Sequence, residues 1–218
     1  MPKIKEQRME DMQRYKNVLE YTEYEEGSSS PKGKWKEEIF QNKNPNVLEL
    51  ACGKGEYSLK LAQLKPDRNY IGIDIKGSRM WVGATKAQEK ELENVRYFRA
   101  FIDHLDEYFA KDEVEEAWIV FPDPYIKKEK KRLTSPKFLD IYRKVMKSGA
   151  IIHLKTDSAL LYKYTKEVIA DQELELLDDV PDVQKIRPDD PVLSIKTFYE
   201  KKHLKEGKTI KYISFRLD

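Results

Sequence analysis

From residue 47 onward, short apolar runs recur between charged segments long enough to be helices: Val47–Ala51, Tyr70–Ile75, Val95–Phe98, Ala117–Phe121 and Ala150–Leu154. Runs of that length, separated by polar stretches of a dozen residues or more, predict βαβ units and hence a mostly parallel sheet. Further on, the acidic stretch Glu173–Asp182 carries Leu174, Leu176 and Leu177, which predicts another strand, and Pro181, Pro188 and Pro191 mark an irregular loop. A basic amphipathic segment, Lys196–Lys205, stops at Gly207, and the alternating run Ile210–Leu217 predicts a late hairpin added to the sheet. The expected fold class is therefore a single doubly wound, mostly parallel α/β domain, and a chain of 218 residues is long enough for one such core.

Upstream the texture differs. Residues 1 to about 46 are dense in charge and contain the turn-forming stretch Gly27-Ser28-Ser29-Ser30-Pro31, followed by a short helix-compatible segment, Lys32–Phe40. This divides the chain into a charged arm over residues 1–31, ordered in part, and a domain over 32–218.

Composition changes this picture little. Charged residues make up 37% of the chain, but 41 basic and 39 acidic side chains leave a formal charge of only +2, so any nucleic-acid partner has to be read from how the charge is distributed. Cys52 is the single cysteine, which excludes an intramolecular disulfide and fits a reducing compartment. The first residues lack an apolar leader core, and the longest apolar run, Ala117–Phe121, is too short to cross a bilayer, so the expectation is a soluble, cytoplasmic protein with no membrane partner. His104, His153 and His203 have no metal-ligand spacing with one another or with Cys52, and no metal is expected.

Two segments carry chemistry. In Val47–Glu56 a strand runs into Gly53-Lys54-Gly55 and then a helix, Tyr57–Leu64, so that backbone can approach a ligand at a helix N-terminus. Nineteen residues after Gly55, Asp74 ends the second apolar run, where a carboxylate can accept from both hydroxyls of a ribose; the ligand should carry an adenosine. A dinucleotide pattern fails because Ser58 occupies the third glycine position, and Glu49 beside the loop repels phosphate while favouring a cationic ligand, such as a sulfonium with an ammonium tail. A tight strand-to-helix turn without a ligand also fits these residues.

The second segment, Ile119-Val120-Phe121-Pro122-Asp123-Pro124-Tyr125, ends the fourth core strand, on the side of an open α/β sheet where ligands bind. Two prolines hold Asp123 and the Tyr125 ring, an acceptor beside an aromatic face, which suits base recognition as well as it suits a solvated turn. Residues 127–147 then bring nine cations against Glu129 and Asp140, a basic patch at the mouth of the site that suits a phosphate backbone.

With these residues in place, the sequence resembles the bacterial tRNA (guanine-N7-)-methyltransferases over about residues 32–217. The matching pieces are Gly33-Lys34-Trp35 with Asn44-Pro45, LELACGKGE, YIGIDIK, FPDPY followed by KKEKKRLTSPKFL, HLKTD at 153–157, and TFYEKKHLKEGK. The DPY-basic-RLTSP-F block and the late T-x-Y-E are the specific ones, since unrelated methyltransferases share the glycine loop. The resemblance implies a seven-stranded methyltransferase sheet with a late antiparallel strand, S-adenosylmethionine as cofactor, and a guanine in the variable loop of tRNA as substrate. It implies Glu49, Gly53, Asp74, Phe101 and Asp123 at the cofactor, Asp123 as the catalytic carboxylate, and Lys127, Asp157, Thr197 and Glu200 at the tRNA.

Thr197 and Glu200 also read as a helix capping box, and Asp157 as a helix N-cap. The chain departs from the family pattern at Ala51, usually glycine; in a basic run about two residues shorter; and at Phe101, where an aspartate usually receives the adenine amino group. The expectation is that Phe101 packs on adenine while Asp103 or a backbone carbonyl takes the amine. An enzyme acting on an exocyclic amine, a non-catalytic RNA-binding protein on the same fold, and, last, a nucleotide-dependent oxidoreductase are the competing readings. Either a monomer or a homodimer fits the sequence.

Overall fold

The computed structural model describes residues 2–24 and 30–218. Gly27, Ser28 and Ser29 of the expected turn lie outside the described residues. In chain order the elements begin with α1 (Pro2–Arg14), β1 (Val18–Glu20), β2 (Asn46–Leu50), α2 (Glu56–Leu64), β3 (Asn69–Ile73), α3 (Gly77–Glu89) and β4 (Val95–Arg99). They continue with α4 (Leu105–Tyr108), β5 (Val114–Val120), α5 (Pro136–Val145), β6 (Met146–Thr156), α6 (Ala159–Asp171), β7 (Leu176–Val180), α7 (Val183–Ile186), α8 (Phe198–Lys205) and β8 (Lys211–Arg216).

The strands form one sheet in the order β1-β4-β3-β2-β5-β6-β8-β7, parallel except where β8 pairs with β6 and β7. β2 and β3 are buried at every position, as strands covered on both faces must be, which is why they read as largely apolar runs. On one face Leu48, Leu50, Ile71 and Ile119 pack with Phe138 and Tyr142 of α5 and Leu161 and Ile169 of α6. On the other, Val47, Tyr70, Tyr97 and Trp118 pack with Leu59 and Leu61 of α2 and Met80 and Ala84 of α3.

The sheet has eight strands where seven were expected. The extra strand is β1, from the arm, which pairs in parallel with β4 through Val18, Leu19 and Glu20. Ahead of it α1 lies on α3: Met12 is buried, Trp81 Nε1 donates to Asp11 Oδ2 at 2.9 Å, and Asn17 Nδ2 donates to the Ala84 carbonyl at 2.9 Å. Three residues are too few to show alternation, and their partner strand lies about 80 residues away, so no local pattern marks β1. The Lys32–Phe40 segment forms a single π-helical turn over Trp35–Ile39, anchored because Trp35 stacks on Phe109 at 4.8 Å and Glu113 accepts from the Gly33 and Trp35 amides. The Gly33-Lys34-Trp35 motif is thus a packing element.

Topology places the site. From β2 the chain winds one way to β3 and, later, the other way to β5, and β5 lies beside β2 with Leu50 opposite Ile119. The carboxyl ends of two neighbouring parallel strands therefore open on the same crevice, the switch point at which α/β sheets bind ligands.

Candidate active site

A cavity of about 810 Å³ lies at this switch point. Its wall brings together Glu49, Gly53, Asp74, Phe101, Asp123, Asp157 and Thr197 from the expected set, with Ala51, Tyr125, Tyr199 and His203. Lys127 and Glu200 are not among its lining residues.

After β2 the backbone turns through left-handed conformations at Ala51 (φ 58°), Gly53 (φ 55°) and Gly55 (φ 64°). At Gly55 a Cβ would stand 2.1 Å from the Tyr97 ring, whose hydroxyl donates to the Gly55 carbonyl at 2.8 Å, so glycine is obligatory there. Ala51 holds its conformation with a methyl group that glycine would not carry. Ala51→Gly is expected to raise stability by about 1 kcal/mol, a gain of about 3 °C in Tm that a thermal melt would read.

Glu49 is buried, and its Oε2 accepts from the Ser58 amide at 2.8 Å and the Ser58 hydroxyl at 2.5 Å. Burial pushes the carboxyl up to about 7 against those two hydrogen bonds, and it has no cationic partner among the described residues. Ser58, which breaks the dinucleotide pattern, therefore serves to aim Glu49. Asp74, which lines the cavity, accepts from the Gly53 amide (2.9 Å) and the Lys76 amide (2.8 Å), one per oxygen, leaving each oxygen a further lone pair. Cys52 is buried, and its thiol is pushed well up by desolvation and then by Glu49 and Asp74, which leaves it inert.

On the β5 side, Phe121 (φ 51°) and Tyr125 (φ 41°) flank Pro122-Asp123-Pro124 with two strained, non-glycine left-handed residues. The strain is held by Arg132, which is 2% exposed: its guanidinium donates to the Pro124 carbonyl at 3.0 Å and the Tyr125 carbonyl at 3.3 Å, and lies 4.3 Å over Tyr164. Asp123 itself is exposed and makes no hydrogen bond or ion pair with any described residue.

The basic patch is smaller than its sequence. Arg132 is buried, Lys137 pairs with Asp103, Arg143 with Asp140 and Asp218, Lys144 with Asp106 and Lys147 with Glu115. Only Lys127, Lys128, Lys130 and Lys131 remain exposed without an ion pair among the described residues, and Lys131 reaches the cavity wall.

The C-terminal residues divide likewise. Glu200 does not face substrate: it is 0% exposed and pairs at 2.8 Å with Lys155, also 0% exposed, which donates in addition to the Leu193 and Ile195 carbonyls. Desolvation pushes Glu200 up and Lys155 down, each toward its neutral form. Thr197 caps α8 by accepting from the Glu200 amide at 3.2 Å, but the Glu200 carboxylate is spent on Lys155 and does not return to close a capping box. Asp157 is not the cap of α6, a role taken by Ser158; it pairs with Lys208 at 2.9 Å and lies 3.4 Å from His203. The start of α8 is fastened to the cofactor loop because the Phe198 amide donates to Glu56 at 2.7 Å and Lys54 sits 3.3 Å over the Phe198 ring.

A glycine loop at the switch point, facing a carboxylate at the next strand's end, in a parallel sheet that gains a late antiparallel strand between β6 and β7, defines the Rossmann-like methyltransferase fold. Solved structures agree on the fold. The 16S rRNA methyltransferase KamB superposes with a TM-score of 0.64 at 16% identity, covering 84% of this chain and 92% of that one. Geranyl diphosphate C-methyltransferase from Streptomyces coelicolor, solved with S-adenosyl-L-homocysteine, gives 0.52 at 16%, covering 80% and 70%.

A family model described as a putative methyltransferase matches residues 43–213. The tRNA (guanine-N(7)-)-methyltransferase of Bacteroides thetaiotaomicron is 46% identical over 220 residues, covering 100% of this chain and 87% of the relative, and that of Listeria innocua is 34% identical over 189, covering 86% of each. The chain belongs to the tRNA (guanine-N(7)-)-methyltransferase family.

Proposed function

We propose that this chain transfers a methyl group from S-adenosylmethionine to N7 of a guanine in the variable loop of tRNA. The observation that carries the reading is the juxtaposition, in one cavity, of an adenosine-type loop and an unpartnered Asp123 on a clamped turn. The cofactor fits on the chemistry of the donor set: Glu49 is a desolvated carboxylate that lacks a cation, and Asp74 keeps two free lone pairs beside it. Glu49 with Gly53 would hold the methionine end, Asp74 the ribose, and Phe101 the adenine. When bound, S-adenosylmethionine supplies an electrophilic methyl on a sulfonium.

Guanine N7 carries its own lone pair, so the chain needs no general base. Its work is to orient the base and to offset the positive charge that the ring acquires. Asp123 is suited to both: as an acceptor-only carboxylate it can bind the guanine N1–H and exocyclic amine, which excludes adenine. The exposed Tyr125 ring beside it offers a stacking face. Lys127 and its neighbours would meet phosphates; Asp157 would orient a cation or ribose. Thr197 and Glu200 serve this reading from within the fold: Thr197 caps α8, and Glu200 ties that helix to Lys155 of β6. Among the described residues no helix is long and apolar enough to cross a membrane, and no cluster of metal-ligating side chains occurs.

Glu49 gives the reading a pH signature. In the free protein its pKa is raised to about 7, so it is protonated below that value, whereas a cationic ligand needs it ionised. Affinity for S-adenosylhomocysteine, whose ammonium stays charged in this range, should therefore fall as pH falls, by roughly fifteenfold between about pH 7 and about pH 5.5. Calorimetric titrations across that window check it, and Glu49→Gln should flatten the profile.

Transfer of labelled methyl from S-adenosylmethionine into unmodified tRNA tests the proposal as a whole. Binding of that tRNA should also lose affinity steeply with salt, with a slope set by the four unpaired lysines, and replacing Lys127, Lys128, Lys130 and Lys131 by alanine should make the slope shallower by about 3. No label in tRNA, together with no binding of cofactor, would favour a non-catalytic RNA-binding role.

A further inference from the structure

The arm ends beside the cofactor cavity. β1 places Glu20 opposite Arg99, so the chain leaves the sheet at Tyr21 where β4 hands on to Ala100 and Phe101. Arg99 fixes this junction: it donates to Glu20 Oε2 at 2.8 Å and to the Ile75 carbonyl at 3.1 Å, and its guanidinium lies 5.7 Å over the Tyr21 ring. The Tyr21 ring in turn meets Phe101 edge-on, with centroids 5.4 Å apart and planes at 68°, and His104 meets Phe101 in the same manner at 6.2 Å. Phe101 lines the cavity with 43% of its surface exposed, while Tyr21 does not reach the wall. Asp103, the nearby carboxylate, is tied to Lys137. A large apolar ring that lines the cavity partly exposed, braced by two neighbouring rings at steep angles, is a surface on which a planar ligand can pack.

We infer that Tyr21 is a positioning residue for adenine: it fixes the Phe101 ring against which the base packs, so that the N-terminal arm completes the adenine end of the site. The inference rests on the cofactor reading given above. Its readout is affinity, measured by calorimetry on the full chain with S-adenosylhomocysteine and with 5′-methylthioadenosine, which keeps the adenosine and lacks the amino-acid end. Tyr21→Ala is expected to weaken both ligands by about three- to tenfold, and Tyr21→Phe to bind as the wild type does. Because Tyr21 acts through Phe101, Tyr21→Ala should add nothing on a Phe101→Ala background. Tyr21→Leu, which keeps apolar bulk without a ring, carries the same expectation should the alanine variant not fold. Unchanged affinity in these variants while the wild type binds, or a loss fully additive with Phe101→Ala, overturns this inference alone. A wild-type chain that bound neither ligand would overturn the cofactor reading, and this inference with it.

Discussion

Asp123→Ala is expected to lower methyl transfer to tRNA by about a hundredfold or more while leaving affinity for S-adenosylhomocysteine within about twofold. The separation follows from where Asp123 sits. It shares the cavity with the cofactor loop but belongs to the turn after β5, and neither Glu49 nor Asp74 depends on it for a hydrogen bond. Single-turnover transfer rates beside calorimetric titrations read the two quantities separately. Retention of activity within a few fold would remove Asp123 from the chemistry. Asp123→Asn separates charge from shape: it keeps an acceptor but loses the negative charge, so a loss approaching that of alanine would assign most of the effect to charge.

The largest effect on stability should come from the Lys155–Glu200 pair. With both side chains fully buried, Glu200→Ala leaves an unpaired ammonium beneath α8, at a cost of about 3–5 kcal/mol. For a domain of this size that is a fall in Tm of about 10 °C. Removing both charges at once, as in Lys155→Met with Glu200→Leu, should recover much of the loss, because the desolvation cost of the pair disappears with it. A melt of Glu200→Ala within about 2 °C of wild type would show that the pair is open in solution and return Glu200 to the candidates for substrate contact.

These two residues also show what the chain discloses before it folds. The central strands are legible because β2, β3 and the Ala117–Val120 end of β5 are buried on both faces and read as largely apolar runs, with Asn46, Glu49 and Asn69 as buried polar exceptions. The glycine loop with Asp74 is legible because its spacing is set within one βαβ unit. Asp123 is legible because prolines on both sides announce a fixed turn. What cannot be read is burial of charge. Arg132 sits among lysines and looks like one more surface cation, yet it is the clamp for the Pro124 and Tyr125 carbonyls. Glu200 and Thr197 form a local pattern that fits a capping box, yet the carboxylate is claimed by Lys155, 45 residues earlier.

Tyr97, which supports the loop from beneath, and Ser58, which aims Glu49, each depend on a partner brought close only by the sheet or by the first turn of α2. In each case charge and residue type were visible in the sequence, while the partner was fixed by topology. The same holds for the arm, whose strand is defined by β4 and not by any pattern of its own.

The most direct measurement is chemical mapping of the product. Unmodified tRNA incubated with the protein and S-adenosylmethionine would be reduced and treated with aniline, which cleaves the chain at N7-methylguanosine because that base is cationic and labile. Cleavage at one guanine of the variable loop, absent when Asp123→Ala replaces the wild type, is the expected result. A methylated tRNA that resists cleavage, with the label on an exocyclic amine, would contradict it.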